Sequence, residues 1–210
     1  MKKDLLSLLD LEKQDFDHLF KRALELKERY ASGILDTLLT GKTLGLIFDK
    51  KSTRTRVAFE TAMIQMGGHA IYMSTQDTQI SRAEPAKDTA RVLSRYIDCL
   101  AMRTFDHALV EEFARTSTIP VINALTDSYH PCQILSDIMT IIEQKNGYTD
   151  VRIAWVGDGN NVANSWVNAA GVLGLDLILA CPDHYQIDPE ILDAATQGRQ
   201  NRITLTNDPK

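Results

Sequence analysis

Residues 44–68 read Leu-Gly-Leu-Ile-Phe-Asp-Lys-Lys-Ser-Thr-Arg-Thr-Arg-Val-Ala-Phe-Glu-Thr-Ala-Met-Ile-Gln-Met-Gly-Gly. The apolar run from Leu44 to Phe48 is too short for a helix and predicts a buried strand. A polar turn follows. Val57, Phe59, Ala62, Met63 and Met66 then recur at helical spacing, and Gly67-Gly68 closes that helix. His69 to Met73 reads as the next strand. A strand, a turn and a helix leading to another strand form the unit of a parallel sheet.

The alternation continues in both directions. Towards the C-terminus the pattern predicts helix over 87–97, strand over 98–103, helix over 106–115, strand over 119–122 and helix over 131–144. In the last of these Ile134, Leu135, Ile138, Ile141 and Ile142 lie on the apolar side. Lys145 to Asp150 reads as a linker. Beyond it come strand 151–156, helix 161–173, strand 175–180, helix 188–196 and strand 202–205. Towards the N-terminus, Phe16, Leu19, Phe20, Ala23 and Leu24 predict a helix over 11–30 with Asp10 as its N-cap. The fold class is therefore α/β: two doubly wound parallel-sheet domains, the second incomplete in this chain. Its three or so strands fall short of the usual ~5. The final Asn207-Asp208-Pro209-Lys210 reads as a loop entering another helix, so the expectation is a C-terminally truncated protein.

Composition excludes several classes. The 210 residues are 44% hydrophobic and 24% charged, enough for a real core and against disorder. The net charge of −5 argues against nucleic acid or a membrane surface as partner. No apolar run could span a bilayer, and Asp10 and Glu12 interrupt the N-terminal Leu-rich stretch before a signal-peptide core could form. Cys99, Cys132 and Cys181 are far apart, which argues against disulfides and structural zinc and makes the cytoplasm the expected location. No cofactor and no metal are expected.

Four segments carry chemistry. Ser52-Thr53-Arg54-Thr55-Arg56 sits where a strand gives way to a helix. Backbone N–H groups and the helix dipole favour an anion there, and hydroxyls and guanidinium forks suit phosphate. A capped helix with solvated arginines is the alternative, and the residues alone leave both open. His130-Pro131-Cys132-Gln133 opens a helix, with Pro131 suited to its first turn. A structural His130 is the alternative, and Cys132 reads as a small buried residue. Met102-Arg103-Thr104 ends a strand, where ligands gather in open parallel sheets, against a plain surface arginine. Gly157-Asp158-Gly159-Asn160-Asn161-Val162 follows a strand and opens a helix. Val162 occupies the third glycine position of a dinucleotide fingerprint, which counts against an NAD-dependent oxidoreductase.

In this order and spacing, the segments resemble the transcarbamylase family across nearly the whole chain. Phe48 to Arg56 with Phe59-Glu60 is similar to the family's carbamoyl-phosphate loop. Met102-Arg103-Thr104 and His130-Pro131-Cys132-Gln133 are similar to its other polar motifs. Gly157 to Val162, Asp77 to Ser81 and Lys87 to Leu93 resemble the ornithine branch. The resemblance implies transfer of a carbamoyl group from carbamoyl phosphate to the δ-amine of L-ornithine. It also implies a carbamoyl-phosphate domain over 1–145, an ornithine-binding domain starting over 150–210, and a homotrimer or multiple of trimers. Ser52, Thr53, Arg54 and Thr55 would hold the phosphate. Arg103 and His130 would reach the carbamoyl oxygen and Gln133 the amide. Gln79 would contact carbamoyl phosphate, and Asn161 would bind ornithine. Arg54, Arg103 and His130 are the implied catalytic set.

Departures are visible too. Lys51 stands where many members have Pro, and Asn164 where His is common. The family's later Ser-Met-Gly and His-Cys-Leu-Pro segments do not occur; Ala180-Cys181-Pro182-Asp183 lies too early and lacks the His. These 210 residues alone are therefore expected to be inactive. A transcarbamylase for putrescine, N-acetylornithine or aspartate, and a non-catalytic carbamoyl-phosphate-binding remnant, are the alternatives.

Overall fold

The computed structural model describes residues 3–74, 84–199 and 202–209. Its contacts divide the chain into two compact units, Met1–Leu6 with Arg22–Thr126 and Ser7–Lys21 with Asp127–Lys210.

The first unit holds β1 (Thr43–Phe48), α2 (Arg54–Gln65), β2 (His69–Met73), α3 (Ala86–Leu93), β3 (Cys99–Arg103), α4 (His107–Thr116) and β4 (Val121–Leu125). All strand pairs are parallel, in the order β2-β1-β3-β4. β1 is central, and five of its six residues are buried. Because side chains alternate along a strand, Leu44, Leu46 and Phe48 pack on one face with Met63 of α2. Ile47 packs on the other face with Ala90 of α3 and Val110 and Phe113 of α4. Apolar layers on both faces explain the near-continuous apolar run that marked this strand.

The second unit carries a short 3-10 turn, Leu8–Asp10, followed by α5 (Pro131–Lys145), β5 (Arg152–Val156), α6 (Asn161–Leu173), β6 (Asp176–Ala180), α7 (Pro189–Thr196) and β7 (Arg202–Thr206). Its three described strands are parallel, in the order β5-β6-β7. The helix α1 (Lys13–Ala31) contributes residues to both units.

Two expectations are corrected. Asp10 does not cap α1: it ends the 3-10 turn, where its carboxylate accepts from Ser7 N–H at 2.8 Å. Leu19, expected on the buried face of α1, is 41% exposed, and Phe16 and Phe20 fill that face. Lys145 to Asp150 joins the end of α5 to β5 and carries a packed side chain. Tyr148 is buried within the second unit, its hydroxyl donating to Asp17 Oδ1 at 2.6 Å and its ring set edge-on to Phe20.

Candidate functional site

In the first unit the chain runs from β1 outward to β2 on one side, then crosses to β3 on the other. The strand order thus reverses between β1 and β3. Open α/β sheets bind ligands in the crevice at the carboxyl ends of such a pair. Phe48 and Arg103, the last residues of β1 and β3, are register partners there. Ser52, Thr53, Arg54 and Thr55 follow β1, so this crevice brings them to the same sheet end as Arg103.

Local structure sharpens the donor set. The helix begins at Arg54, earlier than its apolar spacing suggests, so Arg54, Thr55 and Arg56 form its first turn. The first helical bond runs from Val57 N–H to Thr53 O. The side chain of Thr53 makes no capping bond. By contrast Asp106, Asn160 and Asp188 each cap their helix. Thr53 thus supplies no side-chain acceptor to the first-turn N–H groups of α2, a helix position where an anion is favoured. Arg54 is exposed. Arg56, counted with the donors from sequence, is engaged elsewhere: Nε donates to Glu60 Oε1 at 2.8 Å, and its guanidinium stacks 3.5 Å from the centre of the Tyr72 ring.

Arg103 sits at an irregularity. Its pairing with β4 shifts register between Met102 and Arg103, a bulge of the kind that re-aims a side chain. Burial pushes the Arg103 guanidinium below its ordinary pKa. Gln79 lies outside the described residues.

The remaining expected residues belong to the second unit. His130 is the N-cap residue of α5 and is 8% exposed, with Pro131 in the first turn. Its backbone N–H donates to Ser165 Oγ at 2.8 Å, and Ser165 Oγ donates to Asn161 O at 2.8 Å. Ser165 thus ties His130 to the first residue of α6. Sequence reading missed it, because a hydroxyl 35 residues away gives no local signal. Asn164 Nδ2 adds a bond to Ser128 O at 3.0 Å. The Gln133 amide donates to Asp137 Oδ1 at 2.8 Å, one helical turn on. Burial pushes the Cys132 thiol up to about 12, so it stays protonated and is no nucleophile at neutral pH.

The glycine-rich turn has a structural cause. A Cβ on Gly159 would lie 2.6 Å from Gln186 O and 2.7 Å from Ile187 N. Asn160 Oδ1 caps α6 by accepting from Val162 N–H at 2.9 Å and Ala163 N–H at 3.3 Å. The space beside Gly159 is filled by the chain's own backbone. Among the described residues, no group of three or more His, Cys, Asp or Glu could hold a metal ion, and no helix is long and apolar enough to cross a membrane.

Comparison with known proteins matches residues 3–143 to the carbamoyl-P binding domain of aspartate/ornithine carbamoyltransferase and residues 149–210 to the Asp/Orn binding domain. The chain belongs to the aspartate/ornithine carbamoyltransferase family. Ornithine carbamoyltransferase of Pelobacter propionicus is 51% identical over 210 residues, which is all of this chain and 69% of that protein. Its counterpart from Syntrophus aciditrophicus is 53% identical over 209 residues, again covering 69% of the relative. Among solved structures, ornithine carbamoyltransferase from Pyrococcus furiosus superposes with a TM-score of 0.94 at 44% identity, covering 99% of this chain and 67% of that one. Members of this carbamoyltransferase family are thus similar to both units.

Proposed function

We propose that the protein transfers the carbamoyl group of carbamoyl phosphate to the δ-amine of L-ornithine, giving L-citrulline and phosphate. The observation that carries this reading is the meeting of Ser52–Thr55 and Arg103 at the reversal of strand order, in a chain of the carbamoyltransferase family. The donors there suit a phosphate joined to a carbonyl. In this reading Ser52, Thr53, Arg54 and Thr55 hold the phosphate, with the first-turn N–H groups of α2 behind them. Arg54, Arg103 and His130 face the carbonyl oxygen, Gln133 the amide, and Gln79 contacts carbamoyl phosphate. Asn161 binds the ornithine backbone.

The chemistry needs no covalent enzyme intermediate. The neutral δ-amine attacks the carbonyl carbon, a C–N bond forms, and negative charge gathers on the carbonyl oxygen. The bond to the phosphate oxygen then breaks, and the departing phosphate takes the amine's proton. Donors fixed around the oxygen are the main source of acceleration, and losing one typically costs about 2.7–4 kcal/mol.

The same reading assigns residues 1–145 to a carbamoyl-phosphate domain and 150–210 to the start of an ornithine domain. It makes the protein a cytoplasmic homotrimer, or a multiple of trimers, in arginine metabolism, without metal or cofactor. The test is turnover by the complete gene product, with ornithine, putrescine, N-acetylornithine and aspartate offered separately. Citrulline and phosphate in equal amounts from ornithine is the expected result. Turnover only with another amine, or phosphate release without citrulline, overturns it.

A further inference from the structure

Beyond Arg103, the ends of β1 and β3 are joined by Asp49, Lys50, Thr104 and Phe105, which hold no role in the reaction as described. Asp49, the first residue past β1, donates its backbone N–H to Arg103 O at 2.8 Å. Its Oδ2 accepts from the Thr104 hydroxyl at 2.7 Å. One residue further along each segment, the Lys50 ammonium lies 4.5 Å from the centre of the Phe105 ring. Three consecutive contacts of different kinds thus join the turn that leads into Ser52–Thr55 to the segment that follows Arg103.

The burial of this tie distinguishes it from an ordinary surface bond. Thr104 is 3% exposed, which limits competition from water for its hydroxyl at this partly buried bond. Among the described residues, the second Asp49 oxygen, Oδ1, is buried without a hydrogen-bond partner, and so is Arg103 Nε. Leaving buried polar atoms unpaired costs stability. Stability alone is therefore a poor reason to keep a carboxylate here. On its other side the ladder of β3 to β4 slips between Met102 and Arg103 and is taken up again where Thr104 N–H donates to Leu125 O at 3.0 Å.

We propose that Asp49 and Thr104 are a positioning pair. They fix the register between the Ser52–Thr55 turn and Arg103, so that the phosphate donors and the Arg103 guanidinium are held at their working separation before carbamoyl phosphate arrives. Neither residue touches the substrate; both act through Arg103. A displacement of about 1 Å in such a group is enough to cost affinity and rate. The inference rests on the carbamoyl-phosphate reading above.

The test is a double-mutant cycle on the complete gene product, reading carbamoyl-phosphate affinity by titration calorimetry. Thr104→Val removes the donated hydrogen bond at matched shape and is expected to weaken binding about tenfold, the worth of one such bond. Thr104→Ser, which keeps the hydroxyl, is expected to recover most of that loss. In an Arg103→Ala background, Thr104→Val is expected to cost less than about twofold, the margin within which unconnected sites add. Should Thr104→Val fail to fold, Asp49→Ala empties the same bond from the other side and enters the same cycle. An undiminished loss in the Arg103→Ala background, or no loss from Thr104→Val at all, overturns the positioning role while the function stands. An unaltered protein that ignores carbamoyl phosphate overturns the function itself, and the pair's role with it.

Discussion

His130 is held by its backbone, whose N–H reaches Ser165 Oγ, so its imidazole can be removed without cutting that bond. His130→Ala is therefore expected to lower kcat about 10²–10³-fold, as loss of one oxyanion donor does, with the melting temperature little changed. Activity that falls only in step with folded protein would mark the residue as structural instead. The sequence motif was enough to single out His130. It could not reveal the Ser165 bridge, which exists only once α5 and α6 are packed. The cysteines show another residue-scale effect. Burial pushes the Cys99 thiol up to about 11 and the Cys132 thiol up to about 12. An unfolded cysteine ionises near ~8.5, so above that pH the unfolded chain releases protons that the folded chain keeps. The stability these thiols contribute is full below about pH 8.5 and is lost as pH rises towards their folded values. Urea midpoints are expected to decline across that window; a midpoint flat through it would contradict the burial of these thiols.

At the scale of elements, periodicity made most of the fold legible. The helix over 161–173 was read with the bounds it has in α6, because Asn160 caps one end and Gly174, at φ 69°, closes the other. Elements whose ends are polar were less legible. α2 starts at Arg54 rather than near Val57, because Arg, Thr and Arg carry no apolar signal. β4 was expected over 119–122 but runs Val121–Leu125. Pro120 delays its start, and Asn123, a turn-like residue in sequence, is fully buried in it, donating from Nδ2 to Leu6 O at 2.9 Å. A tertiary partner of this kind makes an asparagine acceptable at such a position. Helix packing in the second unit also depends on a detail that composition hides. A Cβ on Gly171 of α6 would run into the backbone carbonyl of Ala195 in α7. Gly171→Ala is expected to force the helices apart and cost about 1–3 kcal/mol, read as a lower urea midpoint. An unchanged midpoint would mean that the two helices can part without loss.

For the molecule as a whole, a net charge of −5 coexists with the site proposed for an anion. This is possible because the proposed donors are local: a helix N-terminus, three hydroxyls and two arginines at one reversal of strand order. The parallel α/β class, and the strand-turn-helix on which the proposed phosphate donors stand, could both be read from residues 44–68. The division of the polar motifs between two compact units could not, since residues 126 and 127 carry no break in composition. The central claim is that carbamoyl phosphate is held by the turn between β1 and α2. Titration calorimetry of the complete gene product, compared with Arg54→Ala and Lys51→Ala, tests it most directly. Arg54→Ala is expected to weaken carbamoyl-phosphate binding by about 10–100-fold, the worth of a charge-assisted hydrogen bond. Lys51, exposed and just ahead of the turn, is expected to matter by no more than about threefold when replaced by alanine. Equal losses from the two substitutions, or no binding by the unaltered protein, would contradict the claim.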